Sequence, residues 1–433
     1  MTEKILKNNI TTDMTCLAEN LVVPADFEQT GLNLNELVVG PTGCGKSMSN
    51  AYSRLVYTTN SSVVVPVSKK AIKEKFSQMF KNRGYEVIDL DFAHPENCQI
   101  GYDPLDYVHS DEDVIQLARN IIGSEPSKAR TGEVDPYWSD SATSVHAAEI
   151  ALIRLNAKDA GKKPTYADVI KLHRSLKIDA RSNTVRTNLD ALFETAGEIH
   201  PGNQATELWK TVKDLSSKTA TCIFSIVNSA VDKIFSDNIL EMTRKEERVC
   251  LPELGERKIA LFITTSPMNK TLQNFVNVLY ADLFRELFEK AEKSEDSSLQ
   301  VPVHIICDDF ACGSRIKDFE DYISIFRAAG ISVTLLLQSE SQLIGMYGEA
   351  AAITIINNCD TYVYMGGMDI TTCNHIAQRM NKPVNKVMTL PLETVVVFRR
   401  GSEPYVARRY QTLSDPVYLQ EVEGVNSNIY ADR

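Results

Sequence analysis

Eight consecutive residues, Gly40-Pro41-Thr42-Gly43-Cys44-Gly45-Lys46-Ser47, have the types and spacing of a phosphate-binding loop. Gly40, Gly43 and Gly45 let the backbone curl tightly enough for successive N–H groups to converge on phosphate oxygens. A helix opening directly after the loop would add the positive end of its dipole. Lys46 would reach the β- and γ-phosphates and the Ser47 hydroxyl a magnesium ion, with Met48 the last position in nucleotide contact. The motif predicts ATP and Mg2+ as cofactors. Cys44 reads as a small residue that contributes its N–H.

Phosphoryl chemistry also needs carboxylates for the metal and for the attacking water. The apolar run Val303-His304-Ile305-Ile306-Cys307 ends in Asp308-Asp309. Carboxylates at the carboxyl end of a core strand lie where α/β sheets gather ligands. Asp308 is assigned to the magnesium side and Asp309 to the catalytic base. Gln338 ends a second apolar run, residues 331–337, and is either a γ-phosphate sensor or an ordinary polar strand terminus. Arg327 closes the helix before that run. It is either a surface residue or a guanidinium that stabilises transition-state charge, acting across a subunit boundary.

These residues must be positioned by a sheet. Residues 34–39 form an apolar run into the glycine loop, and residues 46–57 continue without Gly or Pro, so strand, loop and helix follow in order. Strands at 63–65 and 86–90 flank a helix over 71–82, an alternation that predicts a parallel α/β sheet. From about 110 to 235 helical periodicity dominates. Strand-like runs return at 259–264, 304–307, 332–337, 361–365 and 395–398. The expected organisation is a polar N-terminal segment 1–30 and a nucleotide-binding domain 31–109. An inserted all-α domain follows over 110–247, then the second part of the nucleotide-binding domain, 248–415, and a tail, 416–433.

Composition narrows the class. The chain has 433 residues, 43% apolar and 24% charged, as in a folded protein of two or three domains. No run approaches the about 18 apolar residues of a membrane helix. Nine cysteines without a CxxC pair argue for reduced thiols in a cytosol; the nearest pair, Cys307 and Cys312, flanks the carboxylates by coincidence. A net charge of −11 argues against a broadly basic nucleic-acid surface. Lys69, Lys70 and Lys73, Arg399 and Arg400, and Arg408 and Arg409 remain candidates for a local basic channel.

With these pieces in order, the chain resembles the coupling ATPases of type IV secretion and conjugation, the TraG/TraD-like family, over about residues 35–410. The carriers are the glycine loop, Gly101-Tyr102-Asp103-Pro104-Leu105-Asp106-Tyr107, and Asp135-Pro136-Tyr137-Trp138. Further carriers are Ala260-Leu261-Phe262-Ile263, the acidic strand end with Phe310-Ala311, Leu337-Gln338-Ser339-Glu340-Ser341-Gln342-Leu343, and Asn358-Cys359-Asp360-Thr361.

The resemblance implies a RecA-like P-loop domain interrupted by an all-helical domain, assembled as a hexamer at the cytoplasmic face of a bacterial inner membrane. Its implied partners are a relaxase with single-stranded DNA and a secretion-channel or membrane-anchor subunit. Arg327, 19 residues after Asp308 and 11 before Gln338, stands where the family's trans-acting arginine does.

Three departures are visible. Asp309 stands where Glu is usual, Val65-Pro66-Val67-Ser68-Lys69-Lys70 replaces an Asp-Pro-Lys-Gly-Glu segment, and about thirty polar residues stand where members carry membrane helices. The last implies a separate anchor or unanchored work. Two other readings stay open: a nucleotide-switched scaffold with little hydrolysis, and a DNA-packaging or chromosome-segregation motor.

Overall fold

The computed structural model describes residues 12–67, 70–123, 136–179, 183–265, 269–308, 310 and 315–425. A hairpin of β1 (Met14–Ala18) and β2 (Leu21–Pro24) comes first. The main sheet contains β3 (Glu36–Val39), β4 (Ser62–Val67), β5 (Glu86–Asp91), β6 (Ile259–Thr264), β7 (Val303–Cys307), β8 (Ile331–Leu337) and β9 (Thr361–Tyr364). It is completed by β10 (Thr394–Arg399) and β11 (Tyr405–Arg408).

Its order is β11-β10-β9-β3-β8-β7-β4-β6-β5, antiparallel only at β10 and β11. Parallel strands carry helices on both faces, which is why their sequences are apolar throughout instead of alternating. Leu37 and Val39 pack into one core, and Val38 between them into the other. Helix Lys70–Asn82 turns Phe76, Met79 and Phe80, spaced three and four apart, into that second core.

The helical unit is inserted between β5 and β6, with helices Asp111–Ile122, Pro136–Asp159, Tyr166–Ser175, Asp190–Ile199, Gln204–Lys213, Ser217–Ile234 and Asp237–Thr243. Their starts are written locally: Ser110 with Asp113 and Thr165 with Asp168 each form a capping box.

The segment 101–107 is the root of the insertion. Gly101 forms a parallel bridge with Arg248, and a Cβ at Gly101 would collide with the Met242 carbonyl. Tyr102 donates to Asp282 at 2.5 Å. Asp103 accepts from the N–H groups of Leu105 and Tyr166, both at 2.9 Å, and faces Arg248 at 3.4 Å. Gly101, Tyr102 and Asp103 therefore tie the entering chain to the returning one.

Inside the unit, Glu149 is fully buried and shared by two histidines, His146 Nδ1 at 3.0 Å and His173 Nδ1 at 2.8 Å. His173 Nε2 lies 3.0 Å from Asn228 Oδ1, so both ring nitrogens have a hydrogen-bond partner. Burial alone would depress its pKa, but the bond to Glu149 and that carboxylate's charge outweigh burial and raise it above 6.5. Burial would raise Glu149, yet the two histidine bonds outweigh it and lower its pKa below 4.5.

The stability contributed by His173 is present below its unfolded value and lost as pH rises through the raised one. That contributed by Glu149 is present above its unfolded value and lost on acidification. Glu149→Gln is expected to remove about 3–5 kcal/mol and to flatten the loss of stability as pH rises above the ordinary histidine value of 6.5. Chemical unfolding as a function of pH reads both effects, and parallel slopes for the two proteins would reject a raised His173 pKa.

No helix among the described residues is long and apolar enough to cross a membrane.

Candidate nucleotide-binding site

Three adjacent parallel strands end on one edge of the sheet. β3 delivers the glycine loop, β8 delivers Gln338, and β7 delivers Asp308. The loop is pinned to its neighbours: Gly40 N–H donates to the Leu337 carbonyl at 3.1 Å, and Met365 N–H donates to the Val39 carbonyl at 2.8 Å. Gly43 and Gly45 have φ of +82° and +95°, the left-handed region that favours glycine. At Gly40 the requirement is space, since a Cβ would stand 2.7 Å from the Cys44 sulfur and 2.9 Å from Met365 Cβ.

Lys46 is buried, and its ammonium donates to the carbonyls of Gly40 at 2.6 Å and Pro41 at 3.2 Å. An ammonium has three donors, so one stays available to a phosphate oxygen while the other two brace the loop. Ser47 Oγ donates to Asp308 Oδ2 at 2.9 Å. The two residues are 261 positions apart in sequence, and the fold alone brings them together.

A hydroxyl and one carboxylate suit magnesium, which keeps phosphate oxygens and water among its six ligands. They are too few for an all-protein cage, and no group of three His, Cys, Asp or Glu able to hold a metal occurs among the described residues. The donor set therefore fits a magnesium nucleotide better than a resident ion. The helix after the loop opens on a π turn, Ser47–Ala51, before continuing as α-helix Tyr52–Val56; the expected helix over 46–57 is wider at its start than a regular one. π turns recur at functional sites.

Asp309 lies outside the described residues, as do Cys312 and Lys69. Gln338 is exposed at its strand end, and its N–H donates to Gln342 Oε1 at 3.3 Å. The Cys307 thiol is buried and pushed up by that burial, which leaves it an unreactive core residue.

Arg327 is not in the cluster. It sits at the end of helix Phe319–Ala329, before β8 begins, with its guanidinium 4.6 Å from the Phe27 ring centroid. The seven-residue strand that follows spans roughly 20 Å, so Arg327 and its own glycine loop lie at opposite edges of the sheet.

Among the described residues, several of the candidate basic side chains are held by carboxylates. Lys73 bonds Asp89 at 2.7 Å, Arg400 pairs with Asp360 at 3.1 Å and Arg408 with Glu393 at 3.1 Å. Arg409 instead reaches the glycine loop and donates to the Cys44 carbonyl at 2.6 Å. No spacing in the sequence could have singled it out, because 365 positions separate the two residues.

The family described as Type IV secretory system Conjugative DNA transfer matches residues 3–404. Among solved structures, the unbound monoclinic form of the bacterial conjugative coupling protein TrwBdeltaN70 superposes with a TM-score of 0.66 at 17% identity. That match covers 95% of this chain and 93% of the other. The plasmid coupling protein TrwB in complex with ADP and Mg2+ matches with a TM-score of 0.63 at 16% identity, over 87% and 85% of the two chains. VirB4 of Thermoanaerobacter pseudethanolicus matches with 0.53 at 12% identity, over 94% and 99%. At these identities the likeness establishes the fold, a RecA-like P-loop domain carrying an inserted helical domain. Comparison with curated protein sequences finds no match.

Proposed function

The chain belongs to the type IV secretory system conjugative DNA transfer family, and from that premise we propose that it is a coupling ATPase. It spends ATP to recruit or move a relaxase–DNA substrate. The observation that carries this reading is the 2.9 Å approach of Ser47 to Asp308 at the mouth of the glycine loop.

In this reading the amides of residues 43–48 cradle the phosphates, and Lys46 supplies the charge-assisted bond to the terminal ones. Ser47 and Asp308 would hold magnesium, which would supply charge neutralisation for the triphosphate. Asp309 takes the proton of the attacking water. Gln338, between the loop and Asp308 in strand order, senses the γ-phosphate.

Arg327, at the far edge of its own sheet, serves a neighbouring subunit's triphosphate, which makes the active form a ring, and a hexamer fits the family. Relaxase and other cargo dock on the helical unit, residues 110–247. A membrane or channel subunit places the ring at the inner face of the bacterial membrane.

Steady-state ATP hydrolysis with and without single-stranded DNA tests the proposal. Turnover above a Lys46→Ala control and stimulated by single strands is expected. No turnover would leave a nucleotide-switched scaffold, and stimulation by duplex alone would indicate a packaging-type motor. The trans role of Arg327 is checked by mixing Arg327→Ala with Lys46→Ala subunits: activity above the sum of the two is expected, and strict additivity would make Arg327 structural.

A further inference from the structure

The end of β11 leans on the glycine loop through one side chain. Arg409 Nη1 donates to the Cys44 carbonyl at 2.6 Å, and Nη2 pairs with Glu393 Oε1 at 3.1 Å. The Arg409 N–H donates to the Glu393 carbonyl at 2.7 Å, and Arg408 holds the other Glu393 oxygen at 3.1 Å. Glu393 itself adopts φ +66°, a conformation uncommon outside glycine and kept only where surrounding bonds over-determine it. A Cβ on Gly45 would run into the Arg409 guanidinium, so the two residues are in close approach, while the positive φ is what favours glycine there.

A trans peptide points its C=O and N–H in opposite directions. A guanidinium that holds the Cys44 carbonyl therefore fixes the Gly45 N–H to point away from Arg409, and a phosphate-binding nest needs its donors held in fixed directions. Neither the motif nor the family resemblance includes this contact.

We propose that Arg409, oriented by Glu393, is a positioning residue of the nucleotide site that fixes the Cys44–Gly45 peptide with its N–H facing the triphosphate. The proposal rests on the nucleotide reading above and adds a strap that acts on the loop without touching phosphate. Its rival is a direct role, in which Arg409 is a cation for the ligand and Glu393 merely competes for it.

The two roles predict opposite signs for one substitution. Binding of a fluorescent ATP analogue to the full chain is measured for the wild type, Arg409→Met, Arg409→Lys and Glu393→Gln. As a strap, all three weaken binding, Arg409→Met by about tenfold, the worth of one charge-assisted hydrogen bond. Lysine does not rescue, since a point charge lacks the two-pronged fork. Amide hydrogen exchange across residues 43–47 rises in the same variants.

Tighter binding by Glu393→Gln, or wild-type binding by Arg409→Lys, would overturn the strap. Thermal unfolding checks each variant. If Arg409→Met does not fold, the other two decide. Should the wild type bind no better than Lys46→Ala, the nucleotide assignment fails and not the strap.

Discussion

Lys46→Ala is expected to lower affinity for ATP and ADP by about 100-fold or more while leaving the fold intact. The removed ammonium braces Gly40 and Pro41 and, in the proposed site, would carry the charge-assisted bond to phosphate. A hydrogen bond between two charged groups, at the upper end of about 1.5–3 kcal/mol, is worth ~3 kcal/mol, or two decades in the dissociation constant. A titration with a fluorescent nucleotide analogue reads the effect directly. Retained affinity in a folded variant would mean that the glycine loop does not hold phosphate.

Asp308→Asn separates binding from chemistry. The amide keeps the shape and can still meet the Ser47 hydroxyl, but it brings no charge to a divalent ion. Turnover should fall by about 10²–10³-fold, the usual cost of removing one preorganised electrostatic partner of the transition state. The dependence of nucleotide affinity on magnesium should weaken in parallel, because the wild type alone gains a metal-bound carboxylate. Normal turnover with unchanged magnesium dependence would assign the metal elsewhere.

What could be read in the sequence was whatever is local. The glycine loop is contiguous, and its helix and strand flanks follow from apolar runs, so β3 to β9 appear within one or two residues of their expected places. The exception lies inside the motif itself, where the chain after Lys46 takes a π turn instead of a regular one. Asp308 could be chosen because a buried strand that stops at a carboxylate is a pattern along the chain.

Contacts between distant segments left no such trace. Arg409 reads in the sequence as half of a candidate basic pair, and Met14–Ala18 as part of the polar N-terminal segment. In the fold Cys16, Leu17 and Ala18 are buried against the second core, and β1 pairs with β2. Averaged polarity over residues 1–20 hid a five-residue strand, because its partner strand and the core that receives it lie outside that window.

The doorway at Gly101 and Arg248 has a consequence beyond stability. The chain departs from the nucleotide sheet and comes home along two hydrogen-bonded neighbours, about 5 Å apart. The covalent crossing is confined to that point, while the helical unit and one face of the sheet share a buried core, so any exchanged module would have to keep that packing face. Under the proposed function, the part that would select cargo and the part that would consume fuel are thus joined by one short crossing of the polypeptide.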